Sequence, residues 1–205
     1  MAESMIRFLS NLARMKLIPR SGWISHGVSL QDIESVADHS FSTCALSLLI
    51  ADLEVQGGKH VNVERVLRLA ILHDLSESLT FDISKEYLEY LGERGKVIKA
   101  ELEHAAWKHI TDGLEEPNLR RNYLALQKEF DAERTLEANI VHAADRIDIL
   151  LQVIQYRRKG YPAASLADLW TGTNSKLRFS SVASARRIQQ VLIREGRRLG
   201  TENVK

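Results

Sequence analysis

The stretch Arg68-Leu-Ala-Ile-Leu-His-Asp-Leu-Ser-Glu77 decides the fold class of this chain. It sets the pair His73-Asp74 inside an apolar run, which predicts a helix buried on nearly every side. Adjacent polar side chains are costly to bury unless something satisfies them. A divalent metal ion would satisfy both, because an imidazole supplies a neutral nitrogen and a carboxylate an anionic oxygen. The pair therefore predicts a metal site between the central helices of a helical domain.

The rest of the chain has the composition of an all-α, single-domain protein. Its 205 residues include only three prolines and eleven glycines, with 44% hydrophobic and 27% charged residues. These values are ordinary for a globular protein of one domain. Apolar periodicity predicts helices over residues 6–17, 33–55, 62–79, 96–112, 119–159 (with a break near 131) and 181–199. The segment 163–180 is predicted as a loop after a short helix, with Trp170 and the last helix as candidates for a subunit contact.

Two further side chains extend the predicted metal site. His39 lies on a second, mostly apolar helix, and Asp145 lies beside the apolar stripe of a third. A helix advances about 100° per residue, so His73, Asp74 and Glu77 are expected on one face. Two nitrogen and two oxygen ligands favour Mn, Fe, Co, Ni or Zn over Ca or Mg. Glu77 would then be free to handle a water molecule.

Structural roles compete with these assignments. A lone histidine on an apolar helix is usually a hydrogen-bonded core residue. Asp145 could form an ion pair with an arginine such as Arg146. His142, three residues before Asp145, is a rival ligand, and Asp148 is either a partner of a ligand or a substitute for one.

The motifs identify a family resemblance. They are Leu17-Ile-Pro-Arg20-Ser-Gly-Trp23, then Glu34-Ser-Val-Ala-Asp-His39-Ser, then His73-Asp74-Leu-Ser-Glu77 followed by Asp82-Ile. The order H…HD…D resembles the HD-domain metal-dependent phosphohydrolases. Over about residues 5–158 the chain resembles their 5′-deoxynucleotidase branch, with its YfbR-type and HDDC-type proteins. In the bacterial pattern the arginine and tryptophan are adjacent, whereas Ser21-Gly22 separates them here, as in the HDDC-like sequences.

The resemblance implies an enzyme that removes the 5′-phosphate from (deoxy)ribonucleoside monophosphates by attack of a metal-activated water. The metal ligands would be His39, His73, Asp74 and Asp145. Glu77 would orient or deprotonate the water. Asp82 would contact the sugar hydroxyl or protonate the leaving oxygen. Arg20 would bind the phosphate and Trp23 would wall the sugar-base pocket. Arg20 could instead be a surface residue after Pro19, and Trp23 could be a core residue that anchors the loop.

Two alternatives remain open at this point. One is another HD hydrolase, acting on (p)ppGpp, nucleoside triphosphates or cyclic nucleotides. The net acidic first 156 residues, with 17 basic and 24 acidic side chains, disfavour a triphosphate pocket. The other is a non-catalytic, metal-stabilised binding or regulatory protein. Glu77 and Asp82 argue against it, because a structural metal site needs neither.

The last part of the chain, residues 161–205, is predicted to be a basic helical extension of the same domain. Between Arg157 and Lys205 there are eleven basic and three acidic residues, although the whole chain has a net charge of +1. A nucleic-acid partner is not expected, and neither is a membrane span. The single cysteine, Cys44, excludes an internal disulfide and favours the cytoplasm. The family resemblance adds a homodimer or higher homo-oligomer.

Overall fold

The all-α prediction is confirmed. In a computed structural model, residues 2–201 are described, without the side chains of residues 2, 4, 85 and 86. Their only β-type pairing is one antiparallel bridge between Pro19 and Ser35. The single domain predicted for residues 1–205 stays a prediction, and its ends at residue 1 and residues 202–205 lie outside the described residues. The described helices are α1 (Ala2–Met15), α2 (Ser21–Ser25), α3 (Val36–Gln56), α4 (Val63–Leu72), α5 (Glu77–Thr80), α6 (Lys85–Glu89), α7 (Glu93–Asp112), α8 (Pro117–Ala132), α9 (Leu136–Arg158), α10 (Ala163–Arg178) and α11 (Ala183–Arg198).

Helix α9 is the centre of the bundle. It packs against α3, α4, α10 and α11, and α3 also packs along α4. The apolar pattern of this helix predicts a buried stripe of five residues, Ile140, Ala144, Ile147, Leu151 and Ile154. Four of them are buried in the core, and Leu151 is only partly buried. Helix α3 begins at a capping box, in which Ser35 and Asp38 each accept a hydrogen bond from the other's backbone. These contacts fix the helices that carry His39 and Asp145 side by side. None of the described helices is both long and apolar enough to cross a membrane.

The helix predicted over residues 62–79 is interrupted at the His-Asp pair. Helix α4 ends at Leu72, and residues 73–76 form turns before α5 starts at Glu77. The turns are held by backbone hydrogen bonds between residues three apart in sequence, from Leu75 N to Leu72 O and from Glu77 N to Asp74 O. The prediction that the pair and Glu77 lie on one continuous helix was therefore wrong. The tighter winding still brings their side chains to one side of the chain.

The segment after Pro162 is also different from the prediction. Residues 163–178 form one helix, α10, although a loop was predicted around Trp170-Thr-Gly-Thr. Leu166, Trp170 and Leu177 of this helix are buried, so its apolar side is satisfied inside the chain. Trp170 is only 3% exposed and packs on Gly196 of α11, which rules it out as a subunit contact. Tertiary packing overrides the weak helix propensity of threonine and glycine here.

The contact between α10 and α11 requires a glycine, which gives a stability prediction. A Cβ at Gly196 would lie 2.6 Å from Cη2 of Trp170, whereas a Cβ at Gly172 would meet nothing within 4 Å. We expect Gly196→Ala to lower the free energy of unfolding by about 1–3 kcal/mol through overpacking. Gly172→Ala is the matched control and should raise it by up to about 1 kcal/mol, because alanine favours a helix. Urea titration monitored by circular dichroism measures both, and equal effects would contradict the packing argument.

Candidate metal centre and substrate cleft

The four predicted ligands meet at one point between three regions of the chain. His39 comes from α3, His73 and Asp74 from the turn after α4, and Asp145 from α9. His39 Nε2 lies 3.2 Å from Asp145 Oδ1 and 3.4 Å from Asp74 Oδ2. His73 Nε2 lies 3.2 Å from Asp74 Oδ2 and 3.4 Å from His39 Nε2. The structure thus brings together all four side chains that the sequence singles out.

The other nitrogen of each imidazole is already engaged. Nδ1 of His73 donates to the backbone carbonyl of Ala70 at 2.7 Å. Nδ1 of His39 lies 2.7 Å from Oδ2 of Asp148, a carboxylate that is only 3% exposed. In the neutral form each ring therefore turns the lone pair of Nε2 towards the cluster. Of the two roles open to Asp148, the geometry fits the partner of a ligand, since it bonds the nitrogen that faces away.

The donor set fits a divalent metal ion. Donor atoms that share one ion at bond lengths of about 2.1 Å lie about 3.0–3.4 Å apart. The distances from His39 Nε2 to the nearest donor atoms of His73, Asp74 and Asp145 are in this range, at 3.4, 3.4 and 3.2 Å. The two Nε2 atoms face each other at 3.4 Å, a contact that a bound cation or a proton on one ring makes favourable. His39, His73 and Asp74 also satisfy the distance requirement for a shared ion as a set.

The charges of the cluster also favour a cation at this point. Burial alone would raise the pKa of Asp74, but His73, Arg20 and His39 outweigh it and hold that pKa well below its ordinary value. Burial likewise opposes ionisation of Asp145, yet its hydrogen bond to His39 lowers its pKa to about 2. Burial and Arg20 disfavour a charged His39, but the surrounding carboxylates raise its pKa to about 10. Both carboxylates are therefore anionic at neutral pH.

Glu77 lies beside the cluster at the start of α5. It is 7% exposed, and its buried Oε2 has no hydrogen-bond partner. Burial and the neighbouring charge of Asp74 raise its pKa well above the ordinary value. A carboxylate with raised proton affinity next to a metal-ligand cluster is suited to take a proton from water.

Arg20 is enclosed by three carboxylates at the floor of the site. Its Nη1 lies 3.4 Å from Asp74, 3.6 Å from Glu77 and 3.7 Å from Asp82. Burial disfavours the charged form, but these carboxylates raise the pKa of the guanidinium above its ordinary value. Arg20 is therefore a charged part of the site and not a surface residue after Pro19.

The loop that carries Arg20 is held by main-chain contacts. The Pro19–Ser35 bridge is closed by Arg20 N donating to Glu34 O at 3.0 Å and by Val36 N donating to Ile18 O at 2.8 Å. Ser21 N donates to Oδ2 of Asp82 at 2.7 Å. Asp82 thus links this loop to the segment that follows the metal cluster.

Trp23 is a buried core residue that also borders a cavity. It is 4% exposed, donates from Nε1 to Glu34 at 2.9 Å and packs edge-on against Tyr156 with ring centroids 5.0 Å apart. It also lines the cavity that opens above Arg20 and Asp145. The ring is therefore a core anchor, as one of the two sequence-based interpretations has it, and it lies in the wall of the cleft.

The cavity has a volume of about 490 Å³, and several of its lining residues were not expected from the sequence. Lys99 of α7 lies in its wall, as does a face of α10. Burial disfavours the charged form of Lys99, but Glu103, Glu77 and Asp74 raise its pKa. No sequence signal distinguishes Lys99 from the other lysines of its amphipathic helix, because only the packing of α7 brings it to the site.

The rival ligand His142 lies outside the four-residue cluster. Its Nε2 bonds the carbonyl of Phe130 at 2.9 Å, and its ring stacks on that phenyl ring with centroids 4.0 Å apart. It lines a second cavity of about 230 Å³ that also reaches His73 and Asp74. His142 is thus a neighbour of the cluster with a structural contact of its own.

The sequence profile of the HD domain family matches residues 12–183. The chain belongs to the HD domain family. As an HD-domain enzyme it is expected to hold a divalent metal ion, and the cluster of histidine and aspartate side chains fits one. The match continues past residue 158 and includes α10, so the family region is longer than the motifs alone indicated.

Curated relatives of this HD-domain protein are named as nucleotidases. The human 5′-deoxynucleotidase HDDC2 is 30% identical over 175 residues, which cover 85% of this chain and 79% of that protein. The Schizosaccharomyces pombe 5′-deoxynucleotidase hdd1 is 31% identical over 173 residues, which cover 82% of this chain and 81% of that protein.

Solved structures share the fold. A conserved hypothetical protein from Pyrococcus furiosus is 29% identical with a TM-score of 0.76, and the match covers 92% of this chain and 99% of that one. An HD-domain phosphohydrolase from Listeria innocua has a TM-score of 0.79 over 98% of this chain and 93% of that one. At 21% identity the second likeness shows the fold alone.

A substitution of the buried Asp148 tests whether this residue acts on metal binding or on catalysis. Asp148→Ala removes the acceptor that orients His39 through Nδ1. We expect metal affinity to fall about 10–100-fold, since outer partners of histidine ligands typically have effects of that size. Competition with a fluorescent chelator measures it. Full activity should return at saturating metal, and a loss that no metal concentration restores would contradict a supporting role.

Proposed function

We propose that this HD-domain protein is a metal-dependent 5′-deoxynucleotidase. Its reaction would be hydrolysis of the phosphate ester of deoxyribonucleoside 5′-monophosphates to a nucleoside and inorganic phosphate. The observation that carries the proposal is the convergence of four ligand atoms beside Glu77 and Arg20 at the end of one cleft. The names of the relatives supply the substrate class.

We assign the ligands of one transition metal ion, from Mn, Fe, Co, Ni and Zn, to His39, His73, Asp74 and Asp145. When bound, a divalent cation lowers the pKa of water and offsets negative charge on a phosphate group. These residues would hold the ion from three segments of the chain: His39 from α3, His73 and Asp74 from the turn after α4, and Asp145 from α9. This mixed nitrogen and oxygen set supports a transition metal over Ca²⁺ or Mg²⁺.

The remaining groups of the site divide between water and substrate. Glu77 orients the attacking water and accepts its proton, since its buried Oε2, which has no hydrogen-bond partner, is beside the cluster. Arg20 places a permanent positive charge at the phosphate end of the cleft. Asp82 contacts the sugar end and holds the loop of Arg20 through Ser21 N. Trp23 bounds the sugar with the edge of its ring.

The charge of the cleft favours a monophosphate over a triphosphate. Its acidic lining residues outnumber the basic ones, which are Arg20, Lys99 and Lys176. Acidic side chains that remain once a metal ion is bound repel additional phosphates. Hydrolysis of (p)ppGpp, triphosphates or cyclic nucleotides is the second candidate. The cleft lacks a matching set of cations for the first two, and the names of the relatives favour monophosphates over cyclic nucleotides.

A substrate panel tests the proposal. The protein is stripped of metal, supplied in turn with Mn²⁺, Co²⁺, Zn²⁺ and Mg²⁺, and assayed for phosphate release from nucleoside mono-, di- and triphosphates with ribose or deoxyribose. We expect turnover of deoxynucleoside monophosphates that a transition metal restores. Turnover restricted to tri- or pyrophosphates would overturn the substrate assignment and leave the metal centre in place.

Cytoplasmic location and a homodimer or higher homo-oligomer are further parts of the proposal. The outward side of α1 supports assembly, because Ile6 and Leu9 are 59% and 53% exposed. An apolar helix face of this kind is often covered by another subunit. Sedimentation velocity measures the oligomeric state, and a monomer at micromolar concentration would contradict the assembly.

A further inference from the structure

The substrate cleft extends from the metal centre to helix α10. The same cavity of about 490 Å³ is lined at one end by Arg20, Asp74 and Asp145 and elsewhere by Asp168 and Gly172 of α10. This volume is within the range of about 300–1,000 Å³ that is typical of small-molecule sites. If the phosphate binds at the metal centre, this cavity offers the rest of a nucleotide more room than the second cavity of about 230 Å³ beside His142.

One face of α10 forms the wall of that extension. The lining residues are spaced at i, i+1, i+4, i+5 and i+8, which places them on one side of a helix: Asp168, Leu169, Gly172, Thr173 and Lys176. Ile149, one turn beyond Asp145 on α9, adds an apolar side chain to the wall. A Cβ at Gly172 would meet nothing within 4 Å, so the space in front of this glycine is open. The wall therefore combines apolar contact, free space and three polar side chains, of which Asp168 is the one carboxylate.

Asp168 is the polar group in this wall that is available to a ligand. It is exposed to the cleft, and none of the hydrogen bonds or ion pairs of the described residues involves its side chain. A carboxylate has two acceptor oxygens and no donor at neutral pH. It is suited to a group that presents two adjacent N–H donors.

We propose that this face of α10 is the nucleobase subsite and that Asp168 favours guanine, an inference that rests on the proposed nucleotidase function. Guanine offers the ring N1–H and the exocyclic N2–H side by side, which matches both oxygens of a carboxylate. Adenine, cytosine and thymine each place an acceptor next to the donor on that edge, and the acceptor repels one carboxylate oxygen. Deoxyguanosine monophosphate is therefore the preferred substrate.

The test compares kcat/KM for the four deoxynucleoside monophosphates in the metal-loaded protein and in Asp168→Asn. An amide keeps the size of the carboxylate but replaces one acceptor with a donor. We expect the ratio of dGMP to dTMP turnover to fall about threefold to tenfold, as for loss of a solvent-accessible charged hydrogen bond. Asp52→Asn, an exposed aspartate on α3, is the matched control and should leave the ratio unchanged.

A second variant tests the position of the base independently of Asp168. Gly172→Leu fills the open space in front of α10 and should raise KM for all four monophosphates. Hydrolysis of deoxyribose 5-phosphate, which has no base, should stay within about twofold, because the metal end of the cleft is unchanged. A thermal melt checks that the variant is folded.

The outcomes separate this inference from the proposed function. Absence of monophosphate hydrolysis by the unaltered protein would overturn the nucleotidase assignment and the base subsite with it. Normal hydrolysis with an unchanged base ratio in Asp168→Asn would overturn the guanine preference alone. Equal inhibition of deoxyribose 5-phosphate and dGMP hydrolysis in Gly172→Leu would overturn the placement of the base at α10.

Discussion

Replacing Asp74 with alanine is expected to remove the bound metal and to lower kcat/KM by at least about 10³-fold. Its Oδ2 lies within 3.4 Å of the Nε2 atoms of both His39 and His73, so its loss removes an anionic ligand from the middle of the cluster. The same substitution takes a carboxylate away from Arg20. Metal content by plasma mass spectrometry and phosphate release from deoxynucleoside monophosphates measure the two effects together.

The matched control for this variant is Asp52→Ala. Asp52 is an exposed aspartate on α3 and does not line the cavity. Its substitution should therefore leave the metal content and the rate of phosphate release unchanged. Circular dichroism shows whether each variant is folded. An Asp74→Ala protein that keeps a full equivalent of metal and a normal rate would remove the cluster from the mechanism.

Replacing Glu77 with glutamine is expected to leave the metal bound and to lower kcat by about 10²–10⁴-fold, the usual range for loss of a general base. Glutamine has nearly the same shape, so the packing of α5 is kept, but its amide cannot accept a proton from water. Glu77 is not among the four converging ligands, which is why we expect the metal to remain. Single-turnover phosphate release and metal content, measured on the same sample, separate proton transfer from metal loss.

Glu93→Gln is the control for this second prediction, because Glu93 has an 89% exposed side chain at the start of α7. The Glu93→Gln variant should have the same kcat and the same metal content as the unaltered protein. An unchanged kcat in Glu77→Gln would exclude Glu77 as the base. Parallel loss of metal and rate would instead make Glu77 a contributor to metal binding.

The sequence was sufficient to predict which ligand side chains come together, because their types and order are strong signals. His39, the His73-Asp74 pair and Asp145 each stand in an apolar helical setting that only a partner ion or hydrogen bond satisfies. Arg20 and Asp82 were predicted as site residues, but their mutual contacts were not. Those contacts depend on the Pro19–Ser35 bridge, which joins chain segments that periodicity alone does not pair.

Two features of the fold could not be predicted from local patterns. The interruption of the helix at His73 is set by turns and by the ring bond to the Ala70 carbonyl, whereas the apolar pattern continues through Leu75. Helix α10 was missed because Thr171, Gly172 and Thr173 have weak helix propensity, and only burial of neighbouring residues stabilises it. The cleft wall inferred for base recognition belongs to that same helix.

The interruption after Leu72 also has a consequence for the stability of the whole chain. The four ligand side chains come from α3, from the turn after α4 and from α9, so an ion held by them would join three segments that are distant in sequence. A bound ion would act as a removable cross-link that closes long loops of the chain. The unfolded chain, in which the ligands are far apart, would bind the ion less tightly than the folded protein does. Mass action then ties the melting temperature to the free metal concentration, and starvation for metal would expose the protein to proteolysis.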